Sequence, residues 1–227
     1  MSEPAPLSIH HPDGEPRGGI AVVQEAFGVN DHIEEVTRRF AAEGWLAVAP
    51  HLFHRSGDPS FGYEDISLVF PAMQALTAEG VLADVDAALS ALSSAGIPPE
   101  RTGIVGFCMG GTVALVTAAQ RDVAAAVSFY GGGVTVGRFG FRPLVEEALD
   151  LRAPWLGLYG DLDQGIPVEE VEQLRSAATS SGQPTEVVRY PEAAHGFHCD
   201  VRDSFHPECA ADAWHRTLAW FDEHLGA

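Results

Sequence analysis

Short, almost wholly apolar runs alternate along this chain with stretches whose apolar residues recur at helical spacing. Gly19 to Gln24 reads as a strand, and a helix is predicted from about Asp31 to Glu43. Asn30 and Asp31 are candidate caps, because their side-chain oxygens can accept from the free amides of the first turn. Gly44 closes that helix, and Trp45 to Ala49 reads as a second strand stopped by Pro50. The polar, aromatic and glycine-bearing stretch from His51 to Tyr63 is expected to be an exposed loop. Leu82, Val85, Ala88, Leu89 and Leu92 mark one face of a further helix. Thr102 to Phe107 is a strand that runs directly into a helix from about Met109 to Gln120. Val123 to Tyr130 is the next strand, followed by a loop at Gly131 to Gly133. Trp155 to Tyr159 and Glu186 to Tyr190 are strands on either side of a helix from Val168 to Thr179. A last helix, from about Glu208 to Leu225, directs Ala211, Trp214, Leu218, Phe221 and Leu225 toward the core.

Nearly continuous apolar strands are the mark of parallel strands covered on both faces. The expected architecture is therefore α/β, a mostly parallel central sheet with helices on both faces, and one domain over residues 1–227. At 46% hydrophobic and 20% charged, the chain can bury a sizeable core. No internal repeat, low-complexity tract or long linker divides it.

Charge narrows the chemistry. All 13 cationic residues are arginine, and the missing lysine excludes an internal Schiff base, lysine-dependent pyridoxal chemistry and a phosphate-binding loop with its lysine. With 32 Asp and Glu the formal net charge is −19, which repels phosphate backbones and anionic membranes, so neither nucleic acid nor membrane is an expected partner. Three cysteines, an odd count, do not make a disulfide framework. The stretch from Met1 to Pro6 has no basic region with an apolar run behind it, and no run reaches the ~18 apolar residues of a membrane helix. The expectation is a cytoplasmic protein, a monomer or small homo-oligomer.

The most informative stretch is Gly106-Phe107-Cys108-Met109-Gly110-Gly111, a G-x-nucleophile-x-G pattern between a predicted strand and a predicted helix. A nucleophile on such a tight turn needs flanking residues without side chains, so that strand and helix can pass close by. The amide of Met109 then points at the reacting carbonyl and can stabilise its oxyanion. The helix N-terminus favours negative charge, which helps Cys108 exist as thiolate. A thiol nucleophile needs a base, and the base needs an orienting carboxylate. In the α/β-hydrolase fold these follow the nucleophile as acid, then histidine. Downstream lie Asp161 and Asp163 in an acidic turn after a strand, then His195 in the loop after the last strand. Asp163 is the stronger acid candidate, and Asp161 the weaker. Histidine suits the base because its ordinary pKa of ~6.5 lets it carry a proton both ways near neutrality.

Three segments resemble the dienelactone hydrolase family, the cysteine-nucleophile branch of the α/β-hydrolases: Gln24-Glu25-Ala26-Phe27-Gly28-Val29-Asn30, Gly106 to Gly111, and Ala194-His195-Gly196-Phe197. The resemblance runs from about Ile20 to Leu225. It implies a triad of Cys108, His195 and Asp163, with Glu25 as a buried glutamate that takes the thiol proton when substrate binds. The second oxyanion amide falls at Ala26. The implied reaction is thiolate attack on a small-molecule ester or enol-lactone, as in carboxymethylenebutenolidase, through a thioester and with no metal or organic cofactor. The family holds a substrate carboxylate with arginines, one of them four residues beyond the histidine. Here that position is Cys199. Arg55, Arg138, Arg142 or Arg202 could supply a displaced clamp. Arg55, Phe53, Tyr63, Phe139 and Phe197 are the candidate substrate contacts, and His54 and Phe61 sit in the same loops.

Two other classes compete. His195, His198, Cys199, Asp200, His206 and Cys209 form a ligand-rich tract that could bind zinc, which would make this a metal-dependent hydrolase or a metal-binding module. A non-catalytic scaffold on the same fold is the other, against which the elbow, acid and histidine argue.

Overall fold

Residues 4–226 are described by the computed structural model; residues 1–3, which begin the N-terminal stretch read above, and residue 227 lie outside it. The apolar runs become strands β1 (Leu7–His10), β2 (Gly19–Val23), β3 (Leu46–Pro50), β4 (Thr102–Phe107), β5 (Ala125–Phe129), β6 (Trp155–Gly160) and β7 (Thr185–Tyr190). They form one sheet in the order β1-β3-β2-β4-β5-β6-β7, parallel throughout except for β1. Every residue of β2 to β6 is buried, as parallel crossovers covering both faces require, whereas the edge strands β1 and β7 stay partly open.

The helices are α1 (Asp31–Ala42), α2 (Phe70–Gln74), α3 (Ala78–Ser94), α4 (Met109–Gln120), α5 (Leu144–Glu147), α6 (Val168–Ser180) and α7 (Pro207–His224). The Asn30 side chain caps α1 by accepting from the Ile33 amide at 3.2 Å. Helix α4 is buried from Met109 to Ala119, which its apolar residues on all sides allow. No single helix among the described residues is long and apolar enough to cross a membrane.

Several expectations are corrected. Strand β1 and helices α2 and α5 were not anticipated, because four or five residues are too few to show a period. Pro50 does not stop β3 but is its last residue, paired with Leu7 of the edge strand β1 and beyond the residues of β3 that pair with β2, so the missing amide interrupts no β2 ladder bond. The stretch from His51 to Tyr63 is not uniformly exposed, since Leu52 and Phe53 are each 1% exposed beneath a short turn at His54–Ser56. Helix α7 buries Ala210, Ala213, Thr217 and Phe221, while Ala211 is exposed and Trp214 and Leu218 are half-buried. On α3, Leu82 and Leu89 are half-buried and Val81 and Asp84 belong to the buried face.

Candidate active site

The turn from β4 into α4 is as tight as backbone permits. A Cβ on Gly106 would stand 1.9 Å from the Gly110 carbonyl oxygen, and one on Gly110 would stand 2.3 Å from that of Val23. Only hydrogen fits at either position. Between them Cys108 is held at φ 54°, ψ −116°, a conformation that costs a side-chain-bearing residue of order 1–3 kcal/mol. The neighbouring strand supports it, because the Cys108 amide donates to the Phe129 carbonyl at 3.0 Å. The Cys108 carbonyl accepts from the Gly111 amide at 2.9 Å. The side chain is thereby lifted off the sheet edge and remains partly accessible. The amides of Ala26, after β2, and Met109, at the start of α4, have no acceptor among the described residues and are free to bind an oxygen.

His195 arrives on the loop after β7 and Asp163 on the loop after β6. His195 Nδ1 donates to Asp163 Oδ2 at 2.6 Å, and Asp163 Oδ1 accepts from the Gly165 amide at 2.8 Å. Asp163 is 6% exposed, so its charge acts through little water. Asp161 is otherwise engaged, since both its oxygens are gripped by Arg189 at 2.7 Å. His195 and Cys108 line one cleft of about 60 Å³. Burial works against charge on His195, yet the negative charge Cys108 carries in its thiolate form and the hydrogen bonds to Asp163 and Cys108 outweigh it and raise its pKa to about 10.

Glu25 is wholly buried and accepts from Tyr63 at 3.1 Å and from Arg202 Nη1 at 3.5 Å. No hydrogen bond joins it to Cys108. The Arg202 guanidinium also lies 5.6 Å from the ring centres of Phe27 and Tyr63. Position 199, where the resemblance implied an arginine, holds a buried cysteine whose thiol is pushed up to about 11 by burial and by the charge of Glu25. A guanidinium comes instead from position 202, the next turn of the same loop.

Of the candidate substrate contacts, Phe139 lines the cleft with Cys108, and its backbone stands at φ 56°. Tyr63 is spent on Glu25 and Asn30. Phe53 is not an exposed loop aromatic but is buried against Phe61. Phe197 is a core residue, packed on Phe129, Tyr130 and Tyr190. Arg55 is clamped to buried Asp84 by two hydrogen bonds of 2.7 and 2.9 Å. Two residues escaped the sequence reading. Met73, from α2, reaches the cleft wall. Tyr130 follows β5 at φ 40°, its ring 5.0 Å from that of His195 and its buried hydroxyl without a partner. A large residue directly before Gly131-Gly132-Gly133 was the available signal for Tyr130.

The ligand-rich tract does not converge. Among the described residues no group of three or more His, Cys, Asp or Glu could hold a metal ion. His195 is on Asp163, and His198 is stacked at 5.2 Å on Phe107 beneath the elbow. Asp200 stands 3.6 Å from His32, and His206 accepts from the Cys209 amide to cap α7. The loop turns through these positions, so neighbours in sequence face different elements.

A family model described as the dienelactone hydrolase family matches residues 7–225. A protein of Escherichia coli O157:H7 named "Putative carboxymethylenebutenolidase" is 42% identical over 211 residues, covering 91% of this chain and 77% of its own. A Yersinia pestis protein of the same name is 40% identical over 228 residues, covering 96% of this chain and 84% of its own. A crystal structure named "Putative Dienelactone Hydrolase", from Klebsiella pneumoniae, matches with a TM-score of 0.88 at 41% identity, covering 97% of this chain and 93% of that one.

Proposed function

The chain belongs to the dienelactone hydrolase family, and on that premise we propose that it hydrolyses a small-molecule ester or enol-lactone by nucleophilic catalysis at Cys108. The observation that carries the reading is one cleft holding Cys108, on its strained turn, together with His195, which Asp163 orients at 2.6 Å. The Cys108 thiolate attacks the carbonyl carbon, and the carbonyl π pair moves onto oxygen. The free amides of Ala26 and Met109 stabilise that oxyanion. Collapse of the intermediate expels the enol or alcohol, which takes its proton from His195. His195 then deprotonates a water that attacks the thioester, and departure of Cys108 as thiolate releases the acid and restores the site. Asp163 acts by holding Nδ1 protonated, which leaves Nε2 for proton transfer. An enol leaves readily, so enol-lactones and activated esters suit a thiolate, and amides are poor substrates. No metal or organic cofactor enters any step.

Glu25 has a part in this reading as the group that takes the thiol proton when substrate binds and returns it to the Cys108 thiolate once the product acid has left. Its contacts with Tyr63 and Arg202 mean that the carboxylate must turn from them to reach the thiol.

Hydrolysis of a panel of dienelactones, other enol-lactones and p-nitrophenyl esters tests the proposal. Wild type should turn over at least one member, and Cys108→Ala should lose about 10³-fold or more in kcat/KM. Acid quench during turnover should trap an acyl adduct on the peptide containing Cys108. Full activity in Cys108→Ala would overturn the mechanism.

A further inference from the structure

The loop between β3 and α2 is seated on the segment that carries Glu25. Gly28 permits this: it stands at φ 84°, and a Cβ there would come 2.6 Å from the Pro59 carbonyl oxygen. The Phe61 amide donates to the Phe27 carbonyl at 2.9 Å, and the Tyr63 ring packs with its centre 4.4 Å from that of Phe27. These contacts place the Tyr63 hydroxyl 3.1 Å from Glu25 Oε2.

The direction of that hydrogen bond is fixed from the start of α1. The Asn30 side-chain oxygen is committed to the Ile33 amide as the helix cap, which turns the side-chain nitrogen, a donor only, toward the Tyr63 hydroxyl at 3.1 Å. The hydroxyl accepts there, so its one proton goes to Glu25. Burial, followed by the charge of Glu25, holds the Tyr63 hydroxyl well above the ordinary phenol range, and it stays a donor at working pH. The Cys199 thiol beside it is pushed up to about 11 by burial and by Glu25, and a thiol accepts too weakly to divert that proton. Arg202 selects no direction in this way. It reaches Glu25 Oε1 only at 3.5 Å and acts mainly as a charge. Burial opposes that charge, and the negative charges that Glu25, Tyr130, Cys108 and Cys199 can carry more than offset it. Arg202 therefore attracts the carboxylate where it stands and a thiolate on Cys108 alike. Turning Glu25 toward Cys108 loses the Tyr63 hydrogen bond outright.

We infer that Tyr63, its hydroxyl oriented by Asn30, is a positioning residue that holds Glu25 off the Cys108 thiol until substrate binds. The inference rests on the reading of Glu25 as the group that takes the thiol proton. Substrate binding then has one directional bond to break, the O–H···O bond from Tyr63 to Glu25. Once it is broken the S–H proton passes to the carboxylate, leaving a thiolate on Cys108 and a neutral carboxylic acid at position 25.

Alkylation of Cys108 by iodoacetamide reads this without substrate or turnover, because the thiolate and not the thiol reacts. Mass spectrometry of the Cys108 peptide separates it from Cys209, which is also partly accessible. Tyr63→Phe keeps the ring on Phe27 and removes only the donor, and a thermal melt verifies its fold. It should raise the alkylation rate at pH 7 by about 10-fold, the order expected of one hydrogen bond to a charged group, and the rise of rate with pH should begin at lower pH. Asn30→Asp keeps a good helix cap but offers no donor, so it draws the tyrosine proton to itself and should raise the rate likewise. Adding Glu25→Gln to either variant should return the rate to that of Glu25→Gln alone. Unchanged alkylation in Tyr63→Phe or in Asn30→Asp overturns the inference. So does faster alkylation that Glu25→Gln does not cancel, since it reports a loosened loop. Those failures leave Cys108 as nucleophile, whereas full hydrolysis by Cys108→Ala overturns the mechanism itself.

Discussion

Glu25 and Arg202 meet at 3.5 Å across 177 positions of sequence, the carboxylate wholly buried and the guanidinium side chain 20% exposed. Such a pair is costly to break from one side, because the remaining charge stays buried without a partner.

Arg202→Met should therefore destabilise the fold by about 3 kcal/mol, while Glu25→Gln/Arg202→Met should recover most of that loss. Urea unfolding of the two variants and wild type measures it. Equal stability of the single and double variants would mean that Glu25 is not charged against Arg202.

The raised pKa of His195 ties stability to pH. The folded chain holds this proton up to about pH 10, above the ~6.5 of an unfolded histidine. The contribution is thus complete below pH ~6.5 and is lost as pH rises toward about 10. Denaturation midpoints between pH 6 and pH 10 should fall along that limb, and His195→Gln should flatten it.

His198 has the opposite sign. Burial against Phe107, Phe129 and Trp214 lowers its pKa well below the ordinary value, aided by the charges of Arg39 and His32. The fold prefers it neutral, so its contribution is present above pH ~6.5 and declines as acid protonates the unfolded chain first. His198→Phe preserves the aromatic packing and should lessen the drop in melting temperature between pH 7 and pH 5. His32, 6.0 Å away and also lowered by burial, should account for part of the remaining acid sensitivity.

Tyr130 carries a buried hydroxyl without a partner, and burial keeps it protonated by raising its pKa far above the phenol range. Removing an unsatisfied buried group is neutral or favourable, so Tyr130→Phe should match or exceed wild type in stability, by up to ~1 kcal/mol. A loss of stability would reveal a hydrogen bond formed through bound water. A selective fall in kcat with stability intact would assign the Tyr130 hydroxyl, whose ring lies 5.0 Å from that of His195, a contact with the reacting carbonyl.

What the sequence alone determined is short in range. Apart from the short helices α2 and α5, strand and helix spans from Gly19 onward follow from hydrophobic period, and helix α4 runs over Met109–Gln120 as its pattern predicts. The elbow is equally local: glycines two residues either side of Cys108, between a strand and a helix, point to a turn too tight for side chains, and the contacts at Gly106 and Gly110 are the steric reason. The order of Cys108, Asp163 and His195 was legible because parallel strands deliver their following loops to one edge of the sheet. What tertiary structure decided is which distant groups meet. Phe53 and Phe197 read as loop aromatics, yet the sheet and its helices close over them. Cys199 occupies the expected arginine position, while the guanidinium that reaches Glu25 belongs to Arg202. Arg55, Arg138, Arg142 and Arg202 were interchangeable in sequence, and only the fold commits three to internal carboxylates and leaves Arg138 open at the mouth of the site. Local sterics and period act between neighbours and are written in the chain. The pairing of charges depends on which loops a closed sheet brings within a few ångströms, and that is set by the whole fold at once.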